Sequence, residues 1–156
     1  MGCFVIFVMA WCWCNATESK PQNVSKHSMK TIYNDNYPTC TKTYATLRIC
    51  SRSSDVSERL NLNPTRTAIN DNLNIYLYST ENIVQSKDVR RHIDYLIEMF
   101  KSKVEILNEI QSEKSKIDIM CYWLSENGNG GPILSPKQLT ELGKLNIEIW
   151  FDVYGI

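Results

Sequence analysis

The sequence carries no surplus of either charge: its 17 basic and 17 acidic side chains cancel over 156 residues. That balance removes the electrostatic footprint on which a nucleic-acid binder relies. Histidine is scarce, with only His27 and His92, and neither has the neighbours of a metal or nucleophile site. No Cys-x-x-Cys pair occurs among the six cysteines, and Cys12-Trp13-Cys14 is too tight for the usual zinc spacing. The cysteines therefore read as reduced thiols rather than a disulfide framework, as expected of a cytoplasmic chain. No Gly-Lys-Ser/Thr opens a helix, which excludes the common phosphate loop. Nothing here names a reaction, and no cofactor or metal is expected.

The longest apolar run, CFVIFVMAWCWC at residues 3–14, is shorter than the roughly 20 residues a spanning helix requires. Its length suits the core of a signal peptide, and Cys14-Asn15-Ala16 offers small residues for cleavage. No Lys or Arg precedes residue 20, so the basic leader of such a signal is missing. Two readings stay open: export through residues 1–16, or an over-extended start with Met29 as the working one. A membrane contact follows only if residues 3–14 act as a signal or anchor. Residues 15–41 are rich in Asn, Ser, Thr and Lys and read as an unstructured lead-in, so the folded domain is expected over residues 42–156. Asn15-Ala16-Thr17 and Asn23-Val24-Ser25 are sequons if a eukaryote secretes the chain.

What is present is a folded composition, 43% hydrophobic and 10% aromatic. Four segments alternate with the period of a strand: 44–50, 73–78, 117–124 and 147–154. Ala45, Leu47 and Ile49 share one face of the first, and Tyr44, Thr46, Arg48 and Cys50 the other. In the second, Leu73, Ile75 and Leu77 form the aliphatic face, opposite Asn74, Tyr76 and Tyr78. The third places Asp118, Met120, Tyr122 and Leu124 against Ile117, Ile119, Cys121 and Trp123. The fourth sets Glu148, Trp150, Asp152 and Tyr154 against Ile147, Ile149, Phe151 and Val153.

Helical spacing fills the gaps. Asp55 with Glu58 can form a capping box on a short helix. Val89, Ile93, Leu96, Ile97, Phe100, Val104 and Leu107 follow one stripe over residues 88–112, with a break offered at Lys101-Ser102-Lys103. His92 beside that stripe reads as solvent-facing, and Arg90 can pair with Asp94. Ser135-Pro136 opens a third helix, with Leu139 and Leu142 directed inward. The order predicts an α+β domain of two βαβ units joined by a helix: a four-stranded, mainly antiparallel, ferredoxin-like sheet with helices on one face.

From Tyr44 onward the chain resembles the bacterial family catalogued as domain of unknown function 4279. The stretches that carry the likeness are TYATLRICS, VSERLNLNPTRT, KDVRRHIDYLIEMF and CYWLSENGNGGPILSPKQLTELGKLNIEIWFDVYG. The resemblance implies a small accessory protein without an established activity, in some cases near toxin–immunity systems. One stretch departs from the family pattern: AINDNLNIYLYST carries tyrosines where a Gly-Asp segment and a tryptophan are usual.

If helices cover the aliphatic face, the other face presents Arg48, Tyr76, Tyr78, Tyr122, Glu148, Trp150, Asp152 and Tyr154. Tyr, Trp and Arg are the side chains enriched at binding hot spots, and cross-strand Tyr pairing on a solvated face accounts for the same pattern. Some RNA-binding sheets stack bases on such aromatics, but the three carboxylates and zero net charge argue against nucleic acid. The expected role is thus a non-enzymatic, immunity-like binding protein with a protein partner, toxin-like or self. The alternative is a small ligand-binding domain or enzyme using Asp118, Glu148, Asp152 and the glycine loop 127–132. Glu148 and Asp152 stand four positions apart on one strand, about 13 Å, which is wide for a paired acid and base. The loop itself reads as a bend, since its glycines allow positive φ and match no phosphate motif.

Overall fold

A computed structural model describes residues 32–155. The signal-type segment, the alternative start at Met29 and the sequons lie outside the described residues. Among the described residues no helix is long and apolar enough to cross a membrane.

The elements run β1 (Cys40–Ser51), α1 (Val56–Leu60), β2 (Arg66–Asn70), β3 (Leu73–Ser79), α2 (Val89–Phe100), a 3₁₀ turn (Lys101–Lys103), α3 (Val104–Ser112), β4 (Lys116–Ser125), α4 (Pro136–Leu145) and β5 (Glu148–Gly155). The strands form one α+β sheet in the order β2-β3-β1-β4-β5. Pairing is antiparallel except between β4 and β5, which run parallel across the α4 connection.

The expected four-stranded sheet is therefore corrected to a five-stranded mixed one. The added strand, β2, runs from Arg66 and Thr67 into the first three residues of the stretch that departs from the family pattern. Asp71 and Asn72 both adopt positive φ, 48° and 65°, the conformation of a two-residue hairpin turn whose twist matches that of the strands it joins. That turn folds Arg66–Asn70 back onto β3, with Asn70 opposite Leu73 and Arg66 opposite Leu77. The first half is then a strand, a short helix and a hairpin, and only β4-α4-β5 is a βαβ unit with a parallel pair.

The helices share one apolar cluster with one sheet face. Ala45, Leu47, Ile49, Ile117, Ile119 and Cys121 meet Val56 and Leu60 of α1, Ile93, Leu96 and Phe100 of α2, Leu107 and Ile110 of α3, and Leu142 and Leu145 of α4. The 3₁₀ turn at Lys101–Lys103 separates α2 from α3, where the break was expected. Ser135 and Gln138 form a complete capping box on α4 with Pro136 in the first turn, which satisfies N–H groups a helix start leaves open. Leu142 is buried, but Leu139 projects to solvent, against expectation. Asp55 also departs from its expected part: its carboxylate accepts a hydrogen bond from Ser53 Oγ rather than capping α1.

Part of the polar lead-in is anchored. The Asn34 N–H donates to Asp88 at 2.7 Å, Tyr33 donates to Asp94, and Asp35 pairs with Arg91. Arg90 clamps the Asp88 carboxylate, at 2.6 Å from Nη2, instead of reaching Asp94. Burial alone would raise the Asp88 carboxyl. The Arg90 side chain and the N–H groups of Asn34 and Arg90 outweigh burial and hold it below its ordinary value.

His92 is fully buried, not solvent-facing. Its position falls inside the stripe 89, 92, 93, 96, 97, 100 that α2 turns to the core. Its Nδ1 lies 2.6 Å from Thr80 Oγ1 and its Nε2 lies 3.0 Å from the Ser86 carbonyl. A carbonyl only accepts, so Nε2 carries the proton and Nδ1 accepts from the Thr80 hydroxyl. Thr80 Oγ1 in turn accepts the Ala45 N–H at 3.0 Å, tying α2 to β1. Burial lowers the imidazole below its ordinary 6.5, against the Ser86 carbonyl and Asp88, which favour the charged form. Below 6.5 the unfolded chain therefore takes up a proton that the folded chain refuses, and stability falls with pH. The urea midpoint should drop between pH 7.5 and pH 5.5, and His92→Gln should flatten that drop. An equal slope in both proteins would contradict the assignment.

Candidate functional site: the open face of the sheet

Strand register decides which side chains share the face opposite the helices. β1 and β4 pair Arg48 with Asp118, Thr46 with Met120 and Tyr44 with Tyr122. The parallel β4–β5 register continues these rows to Glu148, Trp150 and Asp152, and sets Tyr154 beside Leu124. Arg48, Tyr122, Glu148, Trp150, Asp152 and Tyr154 thus come together as expected, with Asp118 among them.

Tyr76 and Tyr78 do not join them. They lie opposite Ile49 and Leu47, both core residues, and are buried under the helices. The Tyr78 ring meets Phe100 edge-on at 5.2 Å, and its hydroxyl donates to the Leu62 carbonyl at 3.4 Å. Tyr76 donates to the Ser53 carbonyl at 3.2 Å. Carbonyls at the ends of the α1 segment make aromatic burial on this side possible, because each phenol keeps a partner. Leu77 takes the open face instead, opposite Arg48.

Asp118 is buried although it sits on the open face. Arg48 grips it with two bonds, Nε at 3.1 Å and Nη2 at 2.9 Å. Lys116 Nζ stands 3.6 Å away and the Trp150 indole N–H donates from 3.4 Å. The Arg48 guanidinium lies 5.1 Å from the centre of the Trp150 ring, a cation–π contact. Hydrogen bonding to Asp118 keeps the guanidinium pKa above its ordinary value, against burial. One carboxylate therefore orders an arginine and a tryptophan together, while Trp150 remains 45% exposed.

A second row is aromatic. Tyr44 and Tyr122 stack at 4.9 Å with planes 12° apart, and Tyr154 tilts onto Tyr122 at 5.4 Å. Lys42 lies 5.5 Å over Tyr44 and pairs with Glu81 at 2.6 Å. Toward β3 the face sinks into a groove of about 540 Å³, walled by Tyr44, Arg48, Arg66, Leu77, Ile83 and Met120 among others. None of Asp118, Glu148 and Asp152 lines it. Arg66 and Leu77 were not foreseen here. The Asp71-Asn72 turn signal would have revealed β2, and with it Arg66.

The glycine segment is a bend. Gly128 and Gly130 take φ of 68° and 78°, and Ser125 Oγ donates to the Asn129 carbonyl at 2.7 Å. A Cβ on Gly130 would collide with the Thr39 side chain. Among the described residues no group of three potential metal ligands exists. Burial pushes the Cys40 thiol up to about 11 and the Cys121 thiol up to about 12, so neither offers a thiolate at neutral pH.

The fold and site define a two-layer α+β domain with one sheet face that no described helix covers. The chain belongs to the family described as domain of unknown function DUF4279, whose sequence profile matches residues 41–155. No curated protein and no solved structure matches the chain.

Two substitutions probe this geometry. Asp118→Ala frees Arg48 and Trp150 and should lower stability by about 1–3 kcal/mol, read as a shifted denaturant midpoint with unchanged slope. An unshifted midpoint would mean the pair does not hold the face. Gly130→Ala should cost about 1–3 kcal/mol from strained φ and the clash with Thr39; a neutral result would contradict the described turn.

Proposed function

We propose that the chain is a non-enzymatic binding protein that engages a protein partner through the open sheet face. The observation that carries this reading is the exposed Trp150, held in place by Arg48 and Asp118 beside the Tyr44–Tyr122–Tyr154 row. An aromatic anchor that is already ordered loses less freedom on binding. Tryptophan, tyrosine and arginine are also the side chains that dominate interface energetics. Zero net charge favours a protein surface over nucleic acid. The family resemblance makes a toxin-type protein the partner to test first, with this chain in an immunity-like role. The free thiols Cys40, Cys50 and Cys121 agree with a reducing compartment, and we place the function in the cytoplasm.

A small ligand-binding or enzymatic site built on Asp118, Glu148, Asp152 and residues 127–132 draws less support. Asp118 is engaged by Arg48, and the glycine segment is a turn. The groove beside Arg66 favours a small ligand, but none of those carboxylates lines it.

The tagged chain, recovered from its native cell, should bring down a stoichiometric protein. Trp150→Ala should weaken that complex by at least about 30-fold, the effect of a 2 kcal/mol hot spot, with circular dichroism unchanged. Equal affinity of both forms would remove the open face from the interaction.

A further inference from the structure

The two edges of the sheet are unlike. β2 is five residues long, Arg66–Asn70, and Ile69 is its one large apolar side chain. Short, polar edges resist pairing with other chains. β5 is eight residues long, EIWFDVYG, with no lysine, no proline and an unbroken register against β4. Of the devices by which edge strands are usually protected it has only the charges of Glu148 and Asp152. Among the described residues no strand pairs with its outer side.

β5 is also apolar on both faces. Trp150 and Tyr154 project from the open face, while Phe151 and Val153 project from the helix side and are 40% and 53% exposed. The helices end before they cover that corner. Ile149, by contrast, is packed against the core.

We propose that β5 pairs with β5 of a second copy of this chain, antiparallel, about a two-fold axis through Phe151. The register follows from three constraints. An axis normal to the sheet keeps both open faces on one side, so facing residues must come from the same face, and the axis must pass through a residue. An axis through Asp152 sets that carboxylate against its own copy, and an axis through Trp150 sets Glu148 against Asp152. Like charges directly opposite are destabilising. Axes through Ile149 or Val153 leave ladders of only residues 148–150 or 151–155 within the strand's bounds. An axis through Phe151 pairs residues 148–154 in full. It places Phe151 against Phe151 and Ile149 against Val153 on the helix side. On the open side it places Trp150 against Asp152 and Tyr154 against Glu148, with no like charges opposed.

The result is a continuous ten-stranded sheet that covers Phe151 and Val153 and presents both open faces in the same direction. The contact does not rest on the protein-partner reading: Phe151 and Val153 lie on the other side of the sheet from the Arg48–Asp118 cluster. A bound partner would then meet two copies of the face.

Light scattering on the full chain tests the pairing at about 100 µM, where an interface with Kd below about 10 µM is largely assembled. The expected mass is twice 18.1 kDa. Phe151→Glu should return the monomer mass with an unchanged circular dichroism spectrum. Phe151→Cys should form a disulfide-linked dimer on mild oxidation, well above the background of the unaltered chain treated in parallel. Asp152→Cys should not, because the two-fold moves those positions out of bridging distance. A monomer mass for the unaltered chain would overturn the proposal. So would a dimer that survives Phe151→Glu, or stronger cross-linking at position 152 than at 151.

Discussion

The ion pair between Arg48 and Asp118 is the contact on which the arrangement of the sheet depends. The alternation of apolar residues already forbids a one-residue slip between β1 and β4, since that would turn the core faces of both strands to solvent. A two-residue slip keeps every side chain on its own face, so hydrophobicity alone does not forbid it. Such a slip would set Thr46 or Cys50 beside Asp118 and take away the Arg48 guanidinium, leaving the buried carboxylate only the looser Lys116 contact at 3.6 Å. Losing one partner of a buried pair is far costlier than never having built the pair. The bidentate grip therefore selects the register, and the register assembles both the core and the open face.

The same constraint orders the candidate site. Trp150 lies one row from Asp118 because β5 runs parallel to β4 and in register with it. Its indole N–H and ring face are then engaged by the two members of the ion pair. The tyrosine row follows from the same pairing two residues along. On the far side of the sheet the buried His92, Thr80 and the Ala45 backbone fasten α2 to β1. β1 is thus held by polar contacts on both its faces, and the helices and the open face are built around it.

Coverage of the sheet is uneven. Helices α1 to α4 pack over β1, β3 and β4, and the outer half of β5 extends beyond them. Exposed apolar area at an edge strand is a place where another chain can be accommodated. The short β2 edge exposes one large apolar side chain, Ile69. The difference between the two edges, one short and mostly polar, the other longer and apolar, is a property of the assembled sheet.

Periodicity by itself determined much of this protein. The strands around residues 44–50, 117–124 and 147–154, the interrupted helix over 88–112 and the Ser135-Pro136 helix start were all legible in the sequence. Their apolar spacing and caps are local and encode one answer. The open-face positions of Arg48, Tyr122, Trp150 and Tyr154 were legible for the same reason. Tertiary structure alone decided the rest. Leu73, Ile75 and Leu77 alternate with Tyr76 and Tyr78, and both sets are apolar enough to be buried. Which set goes inward depended on carbonyls at Ser53 and Leu62 that could accept the phenols. His92 was polar by type, yet Thr80 and the Ser86 carbonyl made its burial tolerable. Strand β2 needed a partner to exist at all, since five residues with one large apolar side chain hold no face of their own. Alternation along a chain states which residues travel together; only contacts between distant segments decide which way they face.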